Sequence, residues 1–286
     1  MEAQGEDDNM ENGSGDYSVL DHPGILSRLF HPRRATMPDA WFLNVETFDI
    51  PVDGNGVTVG AAFFAAAPNA SVVLFFHGNG ETVVDYADTG GLYTAMDINF
   101  LAVDYRGYGW SSGGSPTVSA MLADCHAVFR FSRQWLGKKG YTGPWIVMGR
   151  SLGSACALEL AARHETDIDG LVIESGFAHT VPLLRLLGVN VEASGITESE
   201  GLGNLAKIAS WRKPLLVIHA ENDHIIPLSD GKALLDACPA PVKRMIRIDQ
   251  ADHNTIFYYG SEAYMSGIKE LVSTVINEQG MPGETE

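Results

Sequence analysis

Apolar positions along this chain fall into two patterns. Residues 45–52 (VETFDIPV) and 57–66 (VTVGAAFFAA) alternate apolar with polar, which predicts two strands joined by a turn at Asp53-Gly54-Asn55-Gly56. Further on the apolar residues gather into short unbroken runs: 71–76 (SVVLFF), 99–103 (NFLAV), 145–148 (WIVM), 170–173 (GLVI) and 214–219 (PLLVIH). Such runs suit strands buried on both faces. One more strand is expected over 242–248. Helical spacing fills the intervals at 81–96, 116–136, 152–164, 229–237 and 261–276. Strands alternating with helices predict the α/β class: a mostly parallel sheet with helices on both faces, and the first two strands as an antiparallel edge.

No linker or shift in composition divides residues 45–278, so they read as one domain, without internal repeats. The interval 176–213 departs from the rhythm. Nearly 40 residues stand where a short connection between two core strands would do, and they read as a small cap. Ahead of the domain, residues 17–44 form an irregular entry segment with Leu-Phe-His-Pro-Arg-Arg at 29–34 and Trp41-Phe42. Residues 1–16 are acidic, lack an apolar face and are expected to be disordered. Residues 279–286 read as a C-terminal tail.

Composition narrows the function classes. The chain has 286 residues, 45% hydrophobic and 19% charged, which fits a globular protein and not a disordered one. The longest apolar run, 59–67, is far short of the roughly 20 residues a membrane span needs. The N-terminus has neither the basic nor the apolar region of a secretory signal. Three scattered cysteines, Cys125, Cys156 and Cys238, suggest no disulfide framework and no zinc site, and point to a reducing, cytoplasmic setting. Carboxylates and histidines show no metal-ligand spacing, so no metal is expected. A net charge of −17 repels phosphate backbones and argues against a nucleic-acid partner. A small molecule is the expected partner; nothing in the sequence fixes the oligomeric state.

Gly149-Arg150-Ser151-Leu152-Gly153 carries the chemistry. It follows the strand WIVM and opens the helix beginning at Leu152. A serine hydroxyl is a weak nucleophile and must be held exposed beside a base, which a sharp strand-to-helix turn achieves. Such a turn leaves almost no room two residues either side of the serine, hence Gly149 and Gly153. The structural alternative makes Ser151 a helix cap. A base and an orienting acid should follow. His253 lies just after the 242–248 strand, and Asp223 just past PLLVIH. Both stand at carboxyl ends of strands, where open α/β sheets bind ligands. Glu221, Asp252 and Glu174 are rival acids; His219 reads as a supporting histidine at the end of its strand. For an oxyanion hole, the backbone N–H groups of Leu152 and Asn79 are the candidates, with Gly80 an alternative to Asn79. In Asp104-Tyr105-Arg106-Gly107-Tyr108-Gly109, Asp104 and Arg106 read as loop-shaping pairs. Phe177, Leu183 and Leu184 in the cap are candidate substrate-binding residues, the alternative being that they only bury the cap.

These motifs, with His77-Gly78-Asn79-Gly80, Asn222-Asp223-His224-Ile225-Ile226-Pro227 and Asp252-His253-Asn254, resemble the α/β-hydrolase superfamily. Within it the chain is similar to the small-cap serine hydrolases called α/β-hydrolase-domain-containing proteins, and more distantly to serine aminopeptidases. The resemblance implies the α/β-hydrolase fold and a cofactor-free Ser-Asp-His acyl hydrolase. Two positions depart from many relatives: Asp252 stands where glycine often precedes the histidine, and Ala220-Glu221 where glycine often precedes the acid loop. The expectation is a serine hydrolase of esters or thioesters. A peptidase and a non-catalytic binding module on the same fold are the alternatives.

Overall fold

In the computed structural model, which describes residues 15–37 and 44–280, eight strands form one sheet ordered β1-β2-β4-β3-β5-β6-β7-β8. They are β1 (Val45–Pro51), β2 (Thr58–Phe64), β3 (Val72–Phe76), β4 (Asn99–Val103), β5 (Trp145–Arg150), β6 (Gly170–Glu174), β7 (Leu215–Ala220) and β8 (Lys243–Ile248). The β1–β2 and β2–β4 pairings are antiparallel; every pairing from β4 to β8 is parallel. The antiparallel edge and parallel body agree with the sequence pattern. Much of the acidic stretch read as disordered, together with Trp41, Phe42 and residues 281–286, lies outside the described residues.

The period-2 alternation of β3 explains why its sequence is unbroken apolar. Val72, Leu74 and Phe76 enter one core layer, and Val73 and Phe75 the other. Helix α1 (Pro23–Leu29) lies ahead of the sheet. Helices α2 (Ala87–Thr94) and α9 (Ile256–Gly280) cover one face, burying Tyr93 and Ile268. The opposite face is covered by α3 (Val118–Lys138) and α4 (Ser154–Arg163), which bury Val128 and Leu158. Between β6 and β7 lie α5 (Thr180–Leu186), α6 (Val191–Ser194) and α7 (Asn204–Ile208). Helix α8 (Leu228–Ala237) connects β7 to β8.

Helix boundaries depart from the sequence pattern in three places. The 81–96 segment begins as a 3-10 turn over Val83–Tyr86, started by a reciprocal Thr82/Asp85 capping box, before α2. Helix α3 continues through Gly137, because an exposed glycine costs a helix only about 1 kcal/mol. The last helix starts at Ile256 and kinks at Gly260, where a Cβ would come within 2.6 Å of Ile248.

The connectivity reverses at β3. The chain moves to β4 on one side of β3 and then returns to β5 on the other. The ends of β3 and β5 therefore flank a crevice, the position at which open α/β sheets bind ligands.

Candidate active site

The turn after β5 is as tight as its glycines predict. A Cβ on Gly149 would lie 2.3 Å from the Gly153 carbonyl oxygen, and one on Gly153 would lie 2.1 Å from that of Phe76. Ser151 between them has φ +50°, in the left-handed region that a side chain rarely adopts. A 3-10 turn over Ser151–Gly153 then leads into α4. The leading N–H groups of a helix have no partner within it, so the Leu152 amide is free to meet an anion.

Ser151 Oγ lies 3.0 Å from His253 Nε2, and His253 Nδ1 lies 2.7 Å from Asp223 Oδ2. The structure thus brings together three side chains far apart in the chain. All three are largely buried. The other Asp223 oxygen accepts from the N–H groups of Ile225 (3.0 Å) and Ile226 (2.8 Å). Burial pushes the Asp223 carboxyl up, but the hydrogen bond and charge of His253 and the two amides outweigh it, and its pKa is lowered. His219 supports this loop: its Nε2 lies 2.8 Å from the Ile226 carbonyl, and burial keeps its pKa below the usual value.

The rival acids are committed elsewhere. Asp252 accepts from the Asn254 amide and the Thr255 hydroxyl of its own turn. Glu221 accepts from the Gln250 amide. Glu174 pairs with Arg150 Nη1 at 2.8 Å and accepts from the Tyr264 hydroxyl.

Arg150 is the group that sequence reasoning missed. Beyond Glu174, its Nε donates to Glu81 Oε1 (2.9 Å) and its Nη2 to the carbonyl of His253 (3.0 Å). The second Glu81 oxygen accepts from the Gly78 amide (2.7 Å) and the Tyr86 hydroxyl (2.5 Å). One buried guanidinium therefore ties the histidine loop to the loop after β3. Burial works against its charge, but Glu174 and Glu81 prevail and raise its pKa well above normal. Behind the same loop, His77 Nε2 lies 3.1 Å from Asp104. Arg106 forms a bidentate pair with Asp124. These are the structural roles read for Asp104 and Arg106.

A cavity of about 330 Å³ opens at Ser151 and His253. Its apolar wall is formed by Leu29, Leu183, Leu187, Ile225 and Ile226, and Leu152, Asn79 and Gly78 line it as well. The amide of Asn79 makes no hydrogen bond to the described residues. Of the three cap candidates only Leu183 lines this cavity. Phe177 and Leu184 are buried in the hydrophobic core. Leu183 and Leu184 diverge because adjacent residues on a helix point about 100° apart. Among the described residues no group of histidines, cysteines and carboxylates could hold a metal ion, and no helix is long and apolar enough to cross a membrane.

Comparison with known proteins agrees with this architecture. The family model for serine aminopeptidases, S33, matches residues 67–190. The human α/β hydrolase domain-containing protein 17B is 30% identical over 224 residues, covering 76% of this chain and 72% of the relative. Protein 17C of Xenopus tropicalis is also 30% identical, over 76% of this chain and 67% of its own. Among solved structures, the Pyrococcus furiosus esterase Pf2001 superposes with a TM-score of 0.70 at 16% identity, covering 85% of this chain and 98% of the esterase.

Proposed function

The chain belongs to the α/β-hydrolase-domain-containing proteins, and from that premise we propose that it is a serine hydrolase cleaving carboxylic esters or thioesters through an acyl-enzyme. The observation that carries the proposal is the continuous hydrogen-bonded series from Ser151 through His253 to Asp223. In this reading the Ser151 hydroxyl donates to His253 Nε2, which fixes the ring's own proton on Nδ1, facing Asp223. Ser151 Oγ attacks the substrate carbonyl carbon as His253 takes its proton. Asp223, kept ionised by its lowered pKa, holds the ring in that tautomer and stabilises the imidazolium. The Leu152 and Asn79 amides receive the negative charge that develops on the carbonyl oxygen. The imidazolium then protonates the departing alcohol or thiol as its bond to the acyl carbon breaks. Water, deprotonated by His253, releases the acid and restores the serine.

The lining of the cavity supports acyl esters over peptides. An aminopeptidase needs an unengaged anion for the substrate ammonium. The one carboxylate lining the cavity among the described residues is Glu81, already paired with Arg150. The test is hydrolysis of p-nitrophenyl esters beside labelling by a fluorophosphonate probe, for wild type and Ser151→Ala. Turnover and labelling that vanish in Ser151→Ala are expected. A folded wild type that does neither defeats the proposal and leaves a binding module on a hydrolase fold. Amide substrates hydrolysed with kcat/KM equal to esters would move the assignment to a peptidase.

A further inference from the structure

We infer that residues 29–34, ahead of the sheet domain, form a strap that sets the oxyanion loop, with His31 and Arg33 as positioning residues for the reaction proposed above, on which the inference rests. The loop after β3, residues 77–82, is held from within by Glu81, which accepts from the Gly78 amide and pairs with Arg150. At its start Tyr105 and Asp104 bond the His77 carbonyl and ring, and around Asn79 and Gly80 it is held from outside by the strap together with Tyr108. Asn79 Oδ1 accepts two hydrogen bonds, from the His31 amide at 2.8 Å and the Tyr108 hydroxyl at 2.6 Å. That fixes the amide orientation, so Asn79 Nδ2 donates to His31 Nδ1, also at 2.8 Å. Arg33 completes the grip. Its Nε donates to the Gly80 carbonyl at 3.0 Å, and its Nη2 reaches the Thr82 hydroxyl and the Asp85 carboxylate.

The strap is itself anchored. The Gly109 amide donates to the Arg33 carbonyl, and the Ala35 amide to the Gly109 carbonyl, so the chain beyond Arg33 runs beside the Gly109 loop as a short bridge. On the other side Leu29 is buried in the core while also lining the cavity. Side chain, flanking carbonyl and neighbouring amide of Asn79 are thus all engaged, while its own backbone N–H is left uncommitted. That is the arrangement a preorganised oxyanion donor requires: the donor is free and everything around it is fixed. Gly80 has φ +75°, a backbone freedom that makes the loop easy to reshape once its carbonyl is released.

The acceptor at His31 Nδ1 can be separated from the rest of the ring. In His31→Asn the side-chain Oδ1 stands where Nδ1 stood and still accepts from Asn79; in His31→Leu nothing does. Three variants, His31→Leu, His31→Asn and Arg33→Ala, are compared with wild type by steady-state kinetics on a p-nitrophenyl ester. Amide hydrogen exchange is followed over residues 77–82, with thermal melting as a check on folding. His31→Leu and Arg33→Ala are expected to speed exchange in the loop and to lower kcat about tenfold, with KM within about twofold, because a displaced donor affects the transition state more than ground-state binding. His31→Asn is expected to keep both near wild type. Loop exchange or kcat unchanged in His31→Leu and Arg33→Ala, with an active wild type, overturns the inference alone, as does a His31→Asn as impaired as His31→Leu. An inactive wild type overturns the hydrolase reading and the inference with it.

Discussion

Replacing Arg150 by methionine tests the centre of the site most severely. The guanidinium pairs with Glu81 at 2.9 Å and Glu174 at 2.8 Å and holds the His253 carbonyl, and its side chain is only 10% exposed. Methionine fills much of the same volume but strands two carboxylates. Glu174 is 7% exposed and has the Tyr264 hydroxyl as its remaining partner; Glu81 is 26% exposed and keeps Gly78 and Tyr86. Breaking a buried ion pair from one side costs about 3–5 kcal/mol. Glu81's partial exposure puts the expectation toward the lower end. For a chain of this size that is a fall in melting temperature of roughly 6–10 °C.

The pH dependence makes the test sharper. Burial pushes the Glu81 carboxyl up, but Arg150 and Tyr86 prevail, so in the wild type its pKa is lowered. It therefore adds stability above its unfolded pKa that is lost as pH falls through the folded one. Without the cation, burial dominates at Glu81 and raises its carboxyl. The variant is then penalised above the unfolded pKa and relieved as protons bind. The gap between wild type and variant must shrink on acidification. Differential scanning calorimetry from about pH 8 down to about pH 3 measures it, because the wild type's own contribution is lost only below pH 4.5. A gap under about 1 kcal/mol at the alkaline end, or one that does not close in acid, would refute the assignment of Arg150 as the buried counter-ion.

Other expectations follow from the same geometry. Gly153→Ala would drive a Cβ to 2.1 Å from the Phe76 carbonyl oxygen, so it should cost at least about 2 kcal/mol in chemical denaturation and lower probe labelling at Ser151. Leu183→Trp, which fills part of the 330 Å³ cavity, should lower kcat/KM for long-chain p-nitrophenyl esters by roughly tenfold relative to acetate, read from a chain-length series. Glu159 is buried, a condition that disfavours its charge, but His126, Lys207 and Tyr17 together carry its pKa from 4.5 down to about 2. Its contribution is thus present above pH 4.5 and lost between there and pH 2. Glu159→Gln should be less stable near neutrality and show a shallower fall in melting temperature across that acid window.

The sheet was legible because its signal is local. Apolar runs of four or five residues such as FLAV and VVLFF, each followed by a turn and a helical stretch, specify buried parallel strands without reference to anything distant. The Ser151 turn was legible for a related reason: the glycines at 149 and 153 answer to steric demands within a few residues. Asp223 and His253 could be selected by their place at strand ends, since the fold gathers those ends at one rim. Arg150 left no such trace. Its partners at 81, 174 and 253 come from three separate loops or strands, and an arginine inside a tight strand-to-helix turn looks like any exposed side chain until the sheet is assembled. The strap at 29–34 was equally silent, since it has no periodicity and its role lies in hydrogen bonds to residues 47 or more positions away. In the cap, apolar character alone cannot tell Leu183, facing the cavity, from Leu184, facing the core.

The loops bearing Ser151 and Asn79 leave the sheet from β5 and β3, which are bonded side by side along their whole length in strict register, from Val72 with Trp145 to Phe76 with Gly149. The lateral repeat of a sheet is about 4.8 Å and hardly varies. On the proposed reading, attacking atom and charge-receiving amide thus inherit the spacing of their loops from a ruler made of main chain. The cap can be rewritten to admit a different molecule while that ruler stays as it was, so under the proposed function choice of molecule and capacity to react are separately adjustable.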